Sequence, residues 1–148
     1  MMSTQEVKIV CMDGATMPAY ATPGSAGVDL RAHLQVPLDI RPGETVMVST
    51  GLRVQLPQGM EMQVRSRSGL AAKHGVVVAN APGTVDSDYT GEVKVILHNH
   101  SACLFQVNGG DRIAQAVFAQ HSTVAFVAVE ALEETERGVG GFGSTGIK

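Results

Sequence analysis

In the stretch Asn80-Ala81-Pro82-Gly83-Thr84-Val85-Asp86-Ser87-Asp88-Tyr89-Thr90-Gly91-Glu92, the carboxylates Asp86 and Asp88 and the phenol of Tyr89 come close together between two apolar runs. A solvated hairpin loop needs neither the aromatic nor the paired acids beside apolar sequence, so these residues read as a built site. Pro82-Gly83 swings the backbone sharply. Alternation beyond that turn expects Asp86 and Asp88 on one face of an extended segment, with Ser87 and Tyr89 on the other. Two further stretches suit an anionic ligand. In Arg137-Gly138-Val139-Gly140-Gly141-Phe142-Gly143-Ser144-Thr145-Gly146, glycines let backbone N–H groups approach a phosphate, and Ser144 and Thr145 add hydroxyl donors. Arg137 offers a bidentate guanidinium and Phe142 a face on which a nucleobase can stack. The same composition also describes a low-complexity end.

In Arg65-Ser66-Arg67-Ser68-Gly69-Leu70 a strand leads into a short helix whose first N–H groups point at an anion, with Ser68 placed to cap or to bind. An ordinary N-cap with solvated arginines has the same pattern. Gly110-Asp111-Arg112-Ile113-Ala114-Gln115 reads as a hairpin turn followed by a strand, with Gln115 facing outward or facing a ligand. Ala26-Gly27-Val28-Asp29-Leu30 reads as a strand start, where Asp29 is either solvated or holds a hard cation or its waters.

The elements that must position these groups are strands. Val7, Ile9 and Cys11 alternate with Lys8 and Val10; Val28 to Ala32, Thr45 to Val48, Leu52 to Leu56 and Met60 to Arg65 follow. Val76 to Ala79, Val93 to His98, Leu104 to Val107, Ile113 to Phe118 and Val124 to Val129 complete the set. Period-two alternation, β-branched residues and spacings near ten residues indicate an all-β sandwich or barrel. Ser68 to Gly75 breaks the rhythm with helix formers and a closing glycine, which predicts one short helix. Glu133-Glu134-Thr135-Glu136 leads into the glycine-rich tail and adds no core, so the tail is either a disordered end or an arm that orders over a ligand.

The 148 residues suit one domain with a single core. With 44% hydrophobic and 17% charged residues the chain is globular, and a net charge of −3 argues against a general grip on nucleic acid. Cys11 and Cys103 sit among apolar neighbours and read as reduced core residues, which favours a reducing, cytoplasmic compartment. Met1-Met2-Ser3-Thr4-Gln5-Glu6 lacks the pattern of a secretory signal, and no apolar run is long enough to span a bilayer. His33, His74, His98, His100 and His121 lack metal-ligand spacing, so no zinc is expected.

Taken in order, these pieces resemble the five motifs of the trimeric dUTPase family: Ala26 to Leu30, Arg67 to Ala71, Asn80 to Gly91, Gly110 to Gln115 and Arg137 to Gly146. The resemblance covers roughly residues 7 to 146. It implies a jelly-roll, a β-sandwich-like barrel that forms a homotrimer with shared active sites. Residues 1–132 would be the β domain and residues 133–148 an arm closing over an active site.

The activity implied is Mg2+-assisted hydrolysis of dUTP to dUMP and pyrophosphate, which limits uracil in DNA and supplies dUMP for thymidylate synthesis. Carried over by position, Asp86 is the general base that activates water, a role that contributes about 10²–10⁴-fold. Asp29 acts on the metal through bound water. Asn80 and the hairpin of Gly83, Thr84 and Val85 read the uracil edge, and Tyr89 packs against the deoxyribose and rejects a 2′-hydroxyl. Arg67, Ser68, Gly69 and Gln115 hold phosphates. Arg137, Phe142, Gly143, Ser144 and Thr145 close as a lid. Asp88 is a turn residue or backbone acceptor. Two other readings are a bifunctional dCTP deaminase and diphosphatase, and a nucleotide-sensing regulator. The complete tail with Phe142 and the intact Asp86 favour the plain diphosphatase.

Overall fold

The structure is a computed structural model that describes residues 4–147. Met1, Met2 and Ser3 of the expected N-terminal segment, and Lys148 of the tail, lie outside the described residues. Strands β1 (Lys8–Cys11), β2 (Gly27–Arg31), β3 (Leu38–Ile40), β4 (Thr45–Gln55) and β5 (Met60–Arg65) precede helix α1 (Ser68–His74). Strands β6 (Val76–Val78), β7 (Gly83–Val85), β8 (Glu92–Asn99), β9 (Phe105–Val107) and β10 (Arg112–Gln120) follow it. They form two four-stranded sheets, ordered β1-β4-β8-β6 and β2-β10-β5-β7, and a small β3-β9 pair, all antiparallel. This is the expected all-β sandwich with one short helix, of jelly-roll type. No helix among the described residues is long and apolar enough to cross a membrane.

Alternation explains the layers. In β5, Met60, Met62 and Val64 are buried while Glu61, Gln63 and Arg65 face outward; in β8, Val93, Val95 and Leu97 are buried and Lys94 is exposed. Leu30, Ile40, Val48, Met62, Leu97 and Ile113 are almost wholly buried between the sheets. Each such side chain stabilises the fold by about 1.5–3 kcal/mol relative to exposure. Asn99 is buried at one end of this core with its hydrogen bonds satisfied. Its Nδ2 donates to the carbonyls of Ile40 (2.9 Å) and Cys103 (2.8 Å), and its Oδ1 accepts from Ser101 N (2.9 Å) and Oγ (2.8 Å).

The two runs Thr45–Val48 and Leu52–Leu56 are one strand interrupted by a bulge. β4 pairs Ser49 with Lys94 and then Leu52 with Val93, leaving Thr50 and Gly51 as insertions. Gly51 has φ +67°, and a Cβ there would come 2.7 Å from Ala15 Cβ, so the position tolerates only glycine.

Three expectations are corrected. Val124–Val129 forms no strand and is exposed, with Phe126 at 95% and Val127 at 78%. Its β-prone residues have no partner strand among the described residues, and propensity without pairing leaves the backbone unladdered. Of the two cysteines, both free, Cys11 is half-buried and packs against the core as expected, but Cys103 is exposed. Cys103 sits in the connection from β8 to β9, where its carbonyl is used and its thiol is not. Finally, Ser68 does not cap α1. Arg67 occupies the cap position with extended φ and ψ and no side-chain cap bond, while Gly75 closes the helix at φ +65° as expected.

Candidate active site

Strand β7 pairs with β5 through Val64↔Gly83, Gln63↔Thr84 and Met62↔Val85, which places Thr84 on the outer face of the sheet and Gly83 on the inner one. Asn80 lies over this strand: its Nδ2 would be 3.1 Å from a Cβ at Gly83, so glycine leaves the space that the amide fills. The Ala81–Pro82 bond is cis. Beyond Val85 the chain does not continue extended. Tyr89 N donates to Asp86 O at 3.2 Å, making Asp86 to Tyr89 a β-turn, so Asp86 and Asp88 do not alternate on a strand face. Asp88 takes the turn position expected of it.

Asp86 and Tyr89 stand together in an open pocket of about 260 Å³, with Thr84, Val85, Lys94 and Ile96 also on its walls. Asp86 is exposed, ready to meet a solute. Tyr89 is 47% exposed; its hydroxyl donates to Glu92 O at 2.8 Å and its ring covers Gly91, where a Cβ would meet the phenol oxygen at 2.6 Å. Met47, Ile96, Glu92 and Lys94 also line this pocket, and reading the sequence did not single them out. Alternation alone marks Met47 and Ile96 as outward positions of their runs and places Glu92 and Lys94 on one face two residues apart, but the pairing of Met47 with Ile96 comes only with the fold.

A second cluster lies across the same sheet, toward its β2 edge. Asp29 of β2 and Arg65 of β5 flank Gln115 of β10 in one cross-strand row. Asp29 receives two guanidinium groups, Arg67 Nε at 3.2 Å and Arg112 Nη1 at 3.5 Å. Arg67 also donates to the Arg112 carbonyl at 3.2 Å, which ties the cap position of α1 to the start of β10. Gln115 donates to Ser66 O at 3.0 Å, and its Oε1 would be 2.6 Å from a Cβ at Gly27, so glycine is needed beneath it. Ser68 and Gly69 are exposed at the first turn of α1 beside this cluster.

The tail is a third, separate group. Its hydrogen bonds are short local turns: Arg137 Nε to Gly140 O (2.8 Å), Gly140 N to Arg137 O (3.1 Å), Ser144 N to Gly141 O (3.0 Å) and Gly146 N to Gly143 O (2.8 Å). Phe142 is fully exposed at φ +51°, beside Gly143 at φ +84°. No residue of the arginine cluster or of the tail lines the Asp86 pocket. β2 and β7 are opposite edges of their sheet, three strand spacings or roughly 14 Å apart. Within one chain the structure therefore joins Thr84, Val85, Asp86 and Tyr89, and separately Asp29, Arg67 and Gln115, but does not bring the groups to one another.

The comparisons with known proteins agree on one family. The sequence model described as dUTPase matches residues 13–146. The chain is 52% identical over 152 residues to the deoxyuridine 5′-triphosphate nucleotidohydrolase of Maricaulis maris, covering 99% of this chain and 100% of that protein. It is 53% identical over 142 residues to the same-named protein of Treponema denticola, covering 96% and 99%. Among solved structures, a mutant dUTPase of Staphylococcus bacteriophage 80alpha with dUpNHpp superposes with a TM-score of 0.88 at 24% identity, covering 97% of this chain and 100% of that one. An Asp-to-Asn mutant dUTPase from phage phi11 of S. aureus, described as coordinating a structural Mg(II) ion, gives 0.79 at 22% identity, covering 87% and 99%. These two likenesses are of fold.

Proposed function

Because the chain belongs to the dUTPase family, we propose that it hydrolyses dUTP to dUMP and pyrophosphate, with Asp86 as the general base. The observation that carries the assignment of roles is the pocket in which Asp86 and Tyr89 stand together beyond the Thr84–Val85 edge. Water attacks the α-phosphorus and Asp86 takes its proton. The new oxygen–phosphorus bond forms as the bond to the bridging oxygen breaks, and pyrophosphate leaves. Asn80 and the backbone of Gly83, Thr84 and Val85 read the uracil edge, and Tyr89 excludes the 2′-hydroxyl. Arg67, Ser68, Gly69 and Gln115 hold the phosphates. The arm at residues 133–148 closes over them, with Arg137, Ser144 and Thr145 donating to phosphate and Phe142 covering the base. Closure removes water and strengthens each of these polar contacts.

Mg2+ suits the donor set. Among the described residues no three His, Cys, Asp or Glu side chains converge as a metal site, and Asp29 is one carboxylate already paired with Arg67 and Arg112. An ion held chiefly by phosphates and its own waters asks for no more than that. When bound it would supply charge neutralisation to the triphosphate, and Asp29 would be the residue to hold it through water.

The separation of the groups supports a homotrimer with shared sites, in which Asp86 of one copy works with Asp29, Arg67 and Gln115 of another. The exposed run from Val124 to Val129 supports the same assembly, since so contiguous an apolar surface calls for a covering partner. The two free cysteines fit a reducing, cytoplasmic setting.

The test is pyrophosphate release from dUTP, dCTP, dTTP and UTP, each with Mg2+ and with excess EDTA. Metal-dependent release from dUTP alone is expected. Ammonia from dCTP, or binding of dUTP without release, would overturn the reading.

A further inference from the structure

Glu92 joins the β4 bulge to the connection that carries Tyr89. Its carboxylate Oε1 accepts from the Ser49 hydroxyl and from Gly51 N–H at 3.0 Å, both at the β4 bulge. Its backbone carbonyl accepts the Tyr89 hydroxyl at 2.8 Å. Lys94 Nζ stands 3.9 Å from its other oxygen, Oε2.

The bulge is a firm anchor. Met12 N donates to Gly51 O and His33 N to Ser49 O, each at 2.8 Å, and Thr50 donates to the Val93 carbonyl. A second fastening, from Arg53 Nε to Thr90 O at 2.8 Å, runs from β4 to the same connection. Thr50 and Gly51 are inserted between the Ser49–Lys94 and Leu52–Val93 pairs, a gap in the ladder close to Glu92, which itself pairs with Arg53. The Glu92 carboxylate fills that gap by accepting the bulge donors.

We propose that Glu92, gripping the Thr50–Gly51 bulge, is a positioning residue that fixes the Tyr89 ring and the Asp86 turn at the mouth of the pocket. The inference rests on the dUTPase reading of Tyr89 for its consequence, and on the geometry alone for the positioning itself. Glu92 touches no reacting atom in this scheme; it acts through Tyr89.

The chain has two tyrosines, Tyr20 and Tyr89, and no tryptophan, which makes the ring directly observable. Full-length protein is labelled with 13C-tyrosine, and the two ring signals are assigned with Tyr20→Phe. Glu92→Ala is expected to shift and broaden the Tyr89 signals while leaving Tyr20 in place. Glu92→Gln, whose amide oxygen still accepts from Ser49 and Gly51, is expected to restore them. In parallel, the preference for dUTP over UTP should fall about tenfold in Glu92→Ala, out of the roughly 10²-fold that a pocket gains by rejecting one hydroxyl, and recover in Glu92→Gln. If Glu92→Ala does not fold, Ser49→Ala removes one donor from the same grip and should move Tyr89 in the same sense. Unmoved Tyr89 signals in a folded Glu92→Ala protein, or failure of Glu92→Gln to restore them, would overturn the inference. A displaced ring with unchanged sugar preference would instead uphold the positioning and remove Tyr89 as the sugar filter.

Discussion

The pocket beside Asp86 and the cluster around Asp29 are built by opposite means. The pocket takes Thr84, Val85, Asp86 and Tyr89 from one continuous stretch and holds them with backbone turns and one phenol hydrogen bond. The cluster takes Asp29, Arg67, Arg112 and Gln115 from separate parts of the chain and holds them by charge and cross-strand register. A local turn fixes a carboxylate cheaply and leaves it exposed for chemistry. A cross-strand cluster needs the whole sheet, and in return it concentrates cationic donors of the kind a triphosphate demands.

That contrast is open to attack, beginning with the largest effect. Asp86→Asn should lower kcat for dUTP by about 10²–10⁴-fold while leaving nucleotide binding intact, as read by single-turnover kinetics and titration calorimetry. A kcat near that of the unaltered protein would move the base elsewhere. Ending the chain after Glu136 should cost about 10²–10³-fold in turnover through loss of phosphate donors, with the thermal midpoint unchanged, because the tail adds no core. A lowered midpoint would show that the tail belongs to the fold. Arg67→Ala should act mainly on KM and change unfolding free energy by no more than about 1 kcal/mol, since its partly exposed pair with Asp29 is screened. A larger loss in urea melts would make the cluster structural rather than ligand-holding.

The smallest effect is one of pH. Glu92 is held below its ordinary value of 4.5, first by the Ser49 hydroxyl and then, against an opposing effect of burial, by Gly51 N–H, Lys94 and His33. The ionised form is favoured by folding, so its stabilisation is present above the unfolded value and is lost as pH falls through the lowered folded one. The stability gap between the unaltered protein and Glu92→Gln should therefore be flat above about pH 5 and shrink below it. A gap that stays constant in acid would show that the carboxylate's charge does not matter.

Much of the sandwich was legible because alternation is a local property. Met60, Met62 and Val64 announce a buried face without reference to any other strand, and Gly75 announces the end of α1 by its own freedom of φ. The order of the motifs was legible for the same reason. What could not be read depended on partners. Val124–Val129 carries every local mark of a strand, yet a strand is a pairing, and no partner for it stands among the described residues. The Thr50–Gly51 bulge was read as a gap between strands because register exists only between two of them. Likewise Glu92 and Lys94 carry no local mark of a site, and only the fold of β8 onto β4 puts them on the wall beside Asp86. The two arginines on Asp29 lie far from it in sequence, so neither could be assigned to it from spacing.

The run from Val124 to Val129 has a consequence for how the protein must be made. It is six residues long, β-prone, uncharged and free of proline and glycine, the profile of a segment that zips onto copies of itself. A newly folded chain carries an adhesive strip, and in the proposed homotrimer assembly would compete with aggregation for it. Both processes are faster in crowded solution, but an added charge penalises stacking of the strip on itself. Phe126→Lys should therefore improve recovery from dilute refolding, and in the homotrimer proposed above it should also weaken assembly, tying solubility and quaternary structure to the same six residues.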